Sequence, residues 1–143
     1  MLEELYQVFI QDLQQQSPAT LLLSGGSTPG PLYRKLSGAK LDWAKINVAL
    51  VDERWVDTDH AASNERLLHE TLLINDAAQA NFVGMKTGHQ SPFDGQAGCS
   101  ARYASLPRPY SICLLGMGPD GHTASLFPRA EGLEAAVKSK QYC

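Results

Sequence analysis

No stretch of this sequence is apolar for long enough to cross a bilayer, which takes about 20 such residues. Its apolar runs, Val48–Val51 and Ile112–Leu115 among them, are short. Basic residues are not in excess: 12 Lys and Arg stand against 15 Asp and Glu, a net charge of −3. With a pI near 5.7 the chain has no electrostatic footprint for nucleic acid. Cysteine is scarce and odd in number. Cys99, Cys113 and Cys143 form no C-x-x-C pair, so reduced thiols are expected, with no disulfide framework and no metal site. Met1–Leu5 lacks the basic and apolar regions of a signal peptide, which makes a cytoplasmic setting the expectation. There is no internal repeat and no stretch that reads as a domain linker. What remains is 143 residues, 43% hydrophobic and 19% charged, the profile of one globular domain over 1–143 with a real core.

Leu2, Leu5, Val8, Phe9 and Leu13 recur at helical spacing, predicting an amphipathic helix over 2–15. Short apolar runs at 20–23, 46–51 and 110–115 predict buried strands, and Asn81–Gly84 a weaker one. A helix is expected from Pro31, a residue suited to a first turn. Another follows Ser63, which reads as its N-cap ahead of Leu67, Leu68, Leu72 and Leu73. Residues 86–95 read as a loop, 96–105 as a helix, and Glu131–Lys140 as a weak helical stretch. Strands alternating with helices imply a parallel sheet covered on both faces.

Three loops carry chemistry. Ser24-Gly25-Gly26-Ser27-Thr28-Pro29-Gly30 lies between a strand and a helix, where backbone N–H groups and the helix dipole converge on an anion. The Walker spacing is absent, so the anion is a phosphate on a small molecule rather than a nucleoside triphosphate. A plain strand-to-helix turn is the alternative. Asp52-Glu53-Arg54-Trp55 follows a buried strand, at the sheet edge where α/β proteins bind ligands. Arg54 can fork onto phosphate, and Asp52 can orient an imidazole or a water. An internal acid–arginine ion pair would account for the same residues. Asn64 and Arg66 are expected to face the same cleft. Glu65, His60, His69 and His89 read as solvated.

The third loop is Gly116-Met117-Gly118-Pro119-Asp120-Gly121-His122. It fits G-x-G-x-x-G, but no acidic residue stands about 20 positions on as the dinucleotide fingerprint requires. Glu131 and Glu134 come too early. A helix starting at His122 would hold its imidazole neutral, fit for a general base. A carboxylate such as Asp52 would act in the opposite sense.

Taken together, Ser24–Pro29, Asp52–Trp55 and Gly116–Pro128 resemble the superfamily of 6-phosphogluconolactonase and glucosamine-6-phosphate deaminase. The ending Ser125-Leu126-Phe127-Pro128 differs from the Phe-Asn-Glu-Pro-like run of the deaminases and favours the lactonase branch. The resemblance implies a three-layer α/β/α fold with a mostly parallel, Rossmann-like (NagB-like) sheet. It implies hydrolysis of 6-phosphogluconolactone in the oxidative pentose phosphate pathway, with no metal or organic cofactor. His122 would be the base, with Asp52 beside it. Ser24, Gly25, Gly26, Ser27, Thr28, Arg54, Asn64, Gly118 and Asp120 would bind the sugar phosphate. Backbone N–H groups around Gly116–Gly118 would steady the oxyanion. The alternatives are an isomerase or deaminase acting on an amino sugar phosphate, or a phosphosugar binder without turnover. The resemblance also implies a further strand–helix portion with a phosphate-binding lysine, which neither Lys138 nor Lys140 matches. The chain is therefore expected to be incomplete at its C-terminus, with an open sheet edge.

Overall fold

The computed structural model describes residues 2–141 and 143. Four strands, β1 (Ala19–Leu23), β2 (Ile46–Leu50), β3 (Asn81–Val83) and β4 (Ile112–Leu114), form one sheet in the order β3-β2-β1-β4. Every pairing among them is parallel. Leu23 lies opposite both Leu50 and Leu114. Three strands therefore stop level, and the segments that follow them leave one edge of the sheet side by side.

The strands alternate between two cores, as a period of two demands. Leu21, Leu23, Val48 and Leu50 meet Phe9 and Leu13 of α1 (Leu2–Gln15), Leu32, Tyr33 and Leu36 of α2 (Gly30–Ser37), and Leu68 of α3 (Asn64–Thr71). Ala49 and Leu22 face the other way, against Cys99 and Tyr103 of α4 (Pro92–Ala104). These are the three expected layers. A helix of six residues, α5 (Leu133–Lys138), follows within the expected weak helical stretch.

Four expectations are corrected. The fourth helix begins at Pro92, inside the segment read as loop. Ser91 caps it by accepting from the Asp94 amide at 3.2 Å. Gly95 is not a breaker there: a Cβ on it would lie 2.4 Å from the Trp55 ring, so glycine permits a close approach. The strand before the histidine loop is not buried on both faces. β4 is an outer strand of the described sheet and Cys113 is exposed, since the α4 core packs against Ala49 and Leu22 instead. No helix starts at His122: Gly121 takes φ +84° and the chain bridges on itself at Met117–Thr123 and Thr123–Leu126. Finally, Cys99 and Cys143 are paired as a disulfide. Gln141 and Cys143 lie against α4, where Gln96 donates to the Cys143 carbonyl at 2.9 Å. Only Cys113 keeps a free thiol among the described cysteines.

Buried Tyr103 ties the layers at the level of the site. Its hydroxyl donates to the Leu50 carbonyl at 2.8 Å and accepts from the Leu50 amide at 3.0 Å. Burial pushes its phenol well above the ordinary range. Tyr103→Phe leaves both backbone groups without this partner, a loss of about 1–3 kcal/mol. Urea unfolding should show that loss as a lower midpoint with an unchanged slope.

Candidate active site

The three loops that leave the level strand ends share one cavity of about 550 Å³. Ser24, Gly25, Gly26 and Thr28 follow the central strand β1, Asp52, Arg54 and Asn64 belong to the segment after β2 on one side, and Gly116, Gly118 and His122 follow β4 on the other. Leu2 and Leu5 of α1 reach its rim.

The first loop is held from below. Tyr33 donates to the buried Ser24 carbonyl at 2.7 Å, and Gly26 takes φ +94°, a conformation suited to glycine. Pro29 is the N-cap of α2, no side chain caps the helix, and Pro29, Pro31 and Leu32 at its positive end line the cavity.

The second loop is tied to α3 by Glu53. Its carboxylate accepts from the Asn64 amide at 2.8 Å, the Glu65 amide at 2.9 Å and the Ser63 hydroxyl at 3.0 Å. Ser63 in turn caps the helix at the Arg66 amide, as its sequence position predicts. Arg54 extends from this anchored turn, and its Nη1 donates to the Ala62 carbonyl and to Asn64 Oδ1, both at 3.0 Å. Neither partner is a carboxylate, so the internal ion pair is not what holds this arginine. Asn64 completes the turn by donating to the Asp52 carbonyl at 2.9 Å and to Asp52 Oδ1 at 3.3 Å.

The third loop folds tightly around His122. A Cβ on Gly118 would lie 2.2 Å from the imidazole, so the ring rests directly on that glycine. The Gly118 amide donates to the His122 carbonyl at 2.8 Å, which takes it out of the expected oxyanion role. Thr123 closes the loop by donating to the Gly116 carbonyl at 2.8 Å. Phe127 flanks the imidazole at 4.5 Å between ring centroids.

The carboxylate on the imidazole is Asp120, 2.6 Å from Nδ1, and not Asp52. Asp52 instead accepts from the Ser125 hydroxyl at 2.8 Å, so it fastens the histidine loop to the end of β2. Asp120 and Ser27 do not line the cavity, and Asp120 reaches it only through His122. Arg66 lies elsewhere, in a separate groove with Asp59 and His69, paired with Glu70 at 2.7 Å. Glu65 is half-buried there, and burial raises its carboxyl above the usual range. His60 and His89 are exposed, as expected. Among the described residues no group of three or more His, Cys, Asp or Glu is placed to hold a metal ion.

The family described as glucosamine-6-phosphate isomerases/6-phosphogluconolactonase is matched across residues 1–143. The chain belongs to this family. Within the glucosamine-6-phosphate isomerase/6-phosphogluconolactonase family, a 6-phosphogluconolactonase of Rhizobium meliloti (strain 1021) is 46% identical over 119 residues, 83% of this chain and 51% of the relative. One from Pseudomonas aeruginosa is 42% identical over 125 residues, 87% of this chain and 52% of the relative. Among solved structures, a 6-phosphogluconolactonase from Shewanella baltica OS155 superposes with a TM-score of 0.97 at 39% identity, covering 99% of this chain and 63% of that one. The chain thus spans about half the length of the curated relatives it matches.

Residue reading missed two members of the site. Glu53 carries no chemistry of its own, and its capping of a helix 11 residues on has no sequence signature. Ser125 looked like part of a helix, whereas it is the link to Asp52. Asp120 itself is visible in the loop, and the hydrogen bond from His122 holds its carboxyl below the usual range, with help from the His122 amide. A carboxyl lowered in this way supports the fold above its ordinary titration range, and that support is lost as pH falls through the lowered value. In His122→Ala the Asp120 carboxyl should titrate at higher pH, measured by carbon-detected NMR of the side-chain carboxyls.

Proposed function

We propose that this domain hydrolyses the ester of 6-phosphogluconolactone to 6-phosphogluconate. The observation that carries the reading is that one cavity collects an uncapped helix start, an arginine and a histidine from three separate loops. Its volume is in the range of small-molecule sites. The names of the relatives above support a lactonase over an amino-sugar deaminase.

The phosphate sits against Gly25, Gly26 and Thr28, with Ser24 and Ser27 in the same turn, and with the Arg54 guanidinium. Backbone N–H groups and the α2 dipole supply its remaining attraction. That grip fixes the lactone with its carbonyl toward His122, removing orientational freedom before reaction. The imidazole takes a proton from water as the water oxygen bonds to the carbonyl carbon. The tetrahedral intermediate collapses with cleavage of the bond to the ring oxygen. The proton held by His122 passes to that oxygen, releasing a carboxylic acid and a hydroxyl. Asp120 holds the imidazole by Nδ1, so Nε2 is the nitrogen that works. Asp52 holds the histidine loop through Ser125, and Gly118 leaves space for the ring. Binding requires neither nucleic acid nor a membrane. A place in the pentose phosphate pathway and a cytoplasmic setting belong to the same reading.

Lactone hydrolysis above the spontaneous background tests it. His122→Ala should lose about 10²–10⁴-fold in kcat, while Arg54→Ala should raise KM about tenfold or more through a lost charge-assisted contact. Equal rates for wild type and His122→Ala would remove His122 as the base.

A further inference from the structure

We propose that Asn64 is a positioning residue, which aims the Arg54 guanidinium at the phosphate and is itself no ligand of the substrate. The inference rests on the phosphate role given to Arg54 above. Asn64 lines the cavity, yet it is only 2% exposed. Its amide nitrogen has two N–H groups, directed at the Asp52 carbonyl and at Asp52 Oδ1. Its amide oxygen takes the Arg54 Nη1 hydrogen. A carbonyl only accepts and a guanidinium only donates, so the amide has one orientation and cannot flip. A phosphate dianion is an acceptor. It therefore finds no remaining donor on Asn64.

The guanidinium is in the complementary position. Its acceptors among the described residues, Ala62 and Asn64, both take Nη1. Among the described residues this leaves Nη2 and Nε for an anion, the edge suited to a two-pronged contact. A second contact links Asn64 to the other half of the phosphate site. A Cβ on Gly25 would fall 1.8 Å from Asn64 Oδ1, and the three nearest atoms all belong to that amide. Gly25 is not among the residues with positive φ, so the reason for glycine there is the neighbouring amide rather than backbone strain.

The test is calorimetric binding of 6-phosphogluconate, with gluconate as the unphosphorylated control, to wild type, Asn64→Ala, Arg54→Ala and the double variant. Asn64→Ala should weaken 6-phosphogluconate about tenfold and leave gluconate unchanged. The double variant should bind no worse than Arg54→Ala, because the two residues act as one unit. Losses that multiply in the double variant would overturn the positioning role while leaving the phosphate site intact. Wild-type affinity in Arg54→Ala would instead overturn the phosphate reading itself. Thermal denaturation gives a readout that needs no ligand. Gly25→Ala should lower Tm in the wild-type background and much less in Asn64→Ala, where the obstructing amide is gone; equal losses would refute the contact. Asn64→Ser carries the same comparisons should Asn64→Ala not fold.

Discussion

The carboxylate of Glu53 is the constraint on which this edge of the molecule depends. It stands three residues past β2 and accepts from two amides and the hydroxyl at the start of α3. Those amides are among the four that a helix leaves unsatisfied at its N-terminus, and a carboxylate is also favoured there by the dipole. The interaction closes the 51–63 segment into a defined loop. Arg54 then emerges at a fixed place beside Glu53, and Asn64 at a fixed place in the first turn of α3. Without that closure the side chains that face the cavity would belong to a free loop.

The sheet supplies the second half of the geometry. Because Leu23, Leu50 and Leu114 are in register, three loops far apart in sequence begin level with one another on three consecutive strands of the sheet. Asp52 then joins the start of α3 to the histidine loop, through Asn64 on one side and Ser125 on the other. The site is thus a row of short loops, two of which are joined by the Asp52–Ser125 hydrogen bond. It is not a set of side chains projecting from one element.

Much of this was legible in the residues, for identifiable reasons. The apolar runs at β1 and β2 are buried on both faces and read as such, and Ser63 carries the ordinary signature of an N-cap. The glycine-rich turn and Arg54 were legible because anion binding needs particular residue types at a strand end. The failures have equally definite causes. Pro92 and Gly95 look like loop residues until Trp55 is seen packed on the helix that contains them. The helix expected at His122 ignored how readily Gly121 takes a positive φ. Asp52 was placed beside the imidazole because its strand ends nearby, whereas Asp120 is two residues from His122 and needs no tertiary contact to reach it. The Cys99–Cys143 disulfide joins residues 44 apart, and no local pattern announces such a contact.

The strand that carries the histidine loop is one of the two outer strands of the described sheet, three residues long, and bonded to β1 on one side. β1 itself is flanked by β2 and β4 and is buried almost throughout. Local opening costs least where few buried contacts are broken. Amide exchange would therefore be graded across the cavity, fast at Ile112–His122 and slow at Ala19–Ser24. On heating, the histidine loop would loosen first and the glycine-rich turn only later.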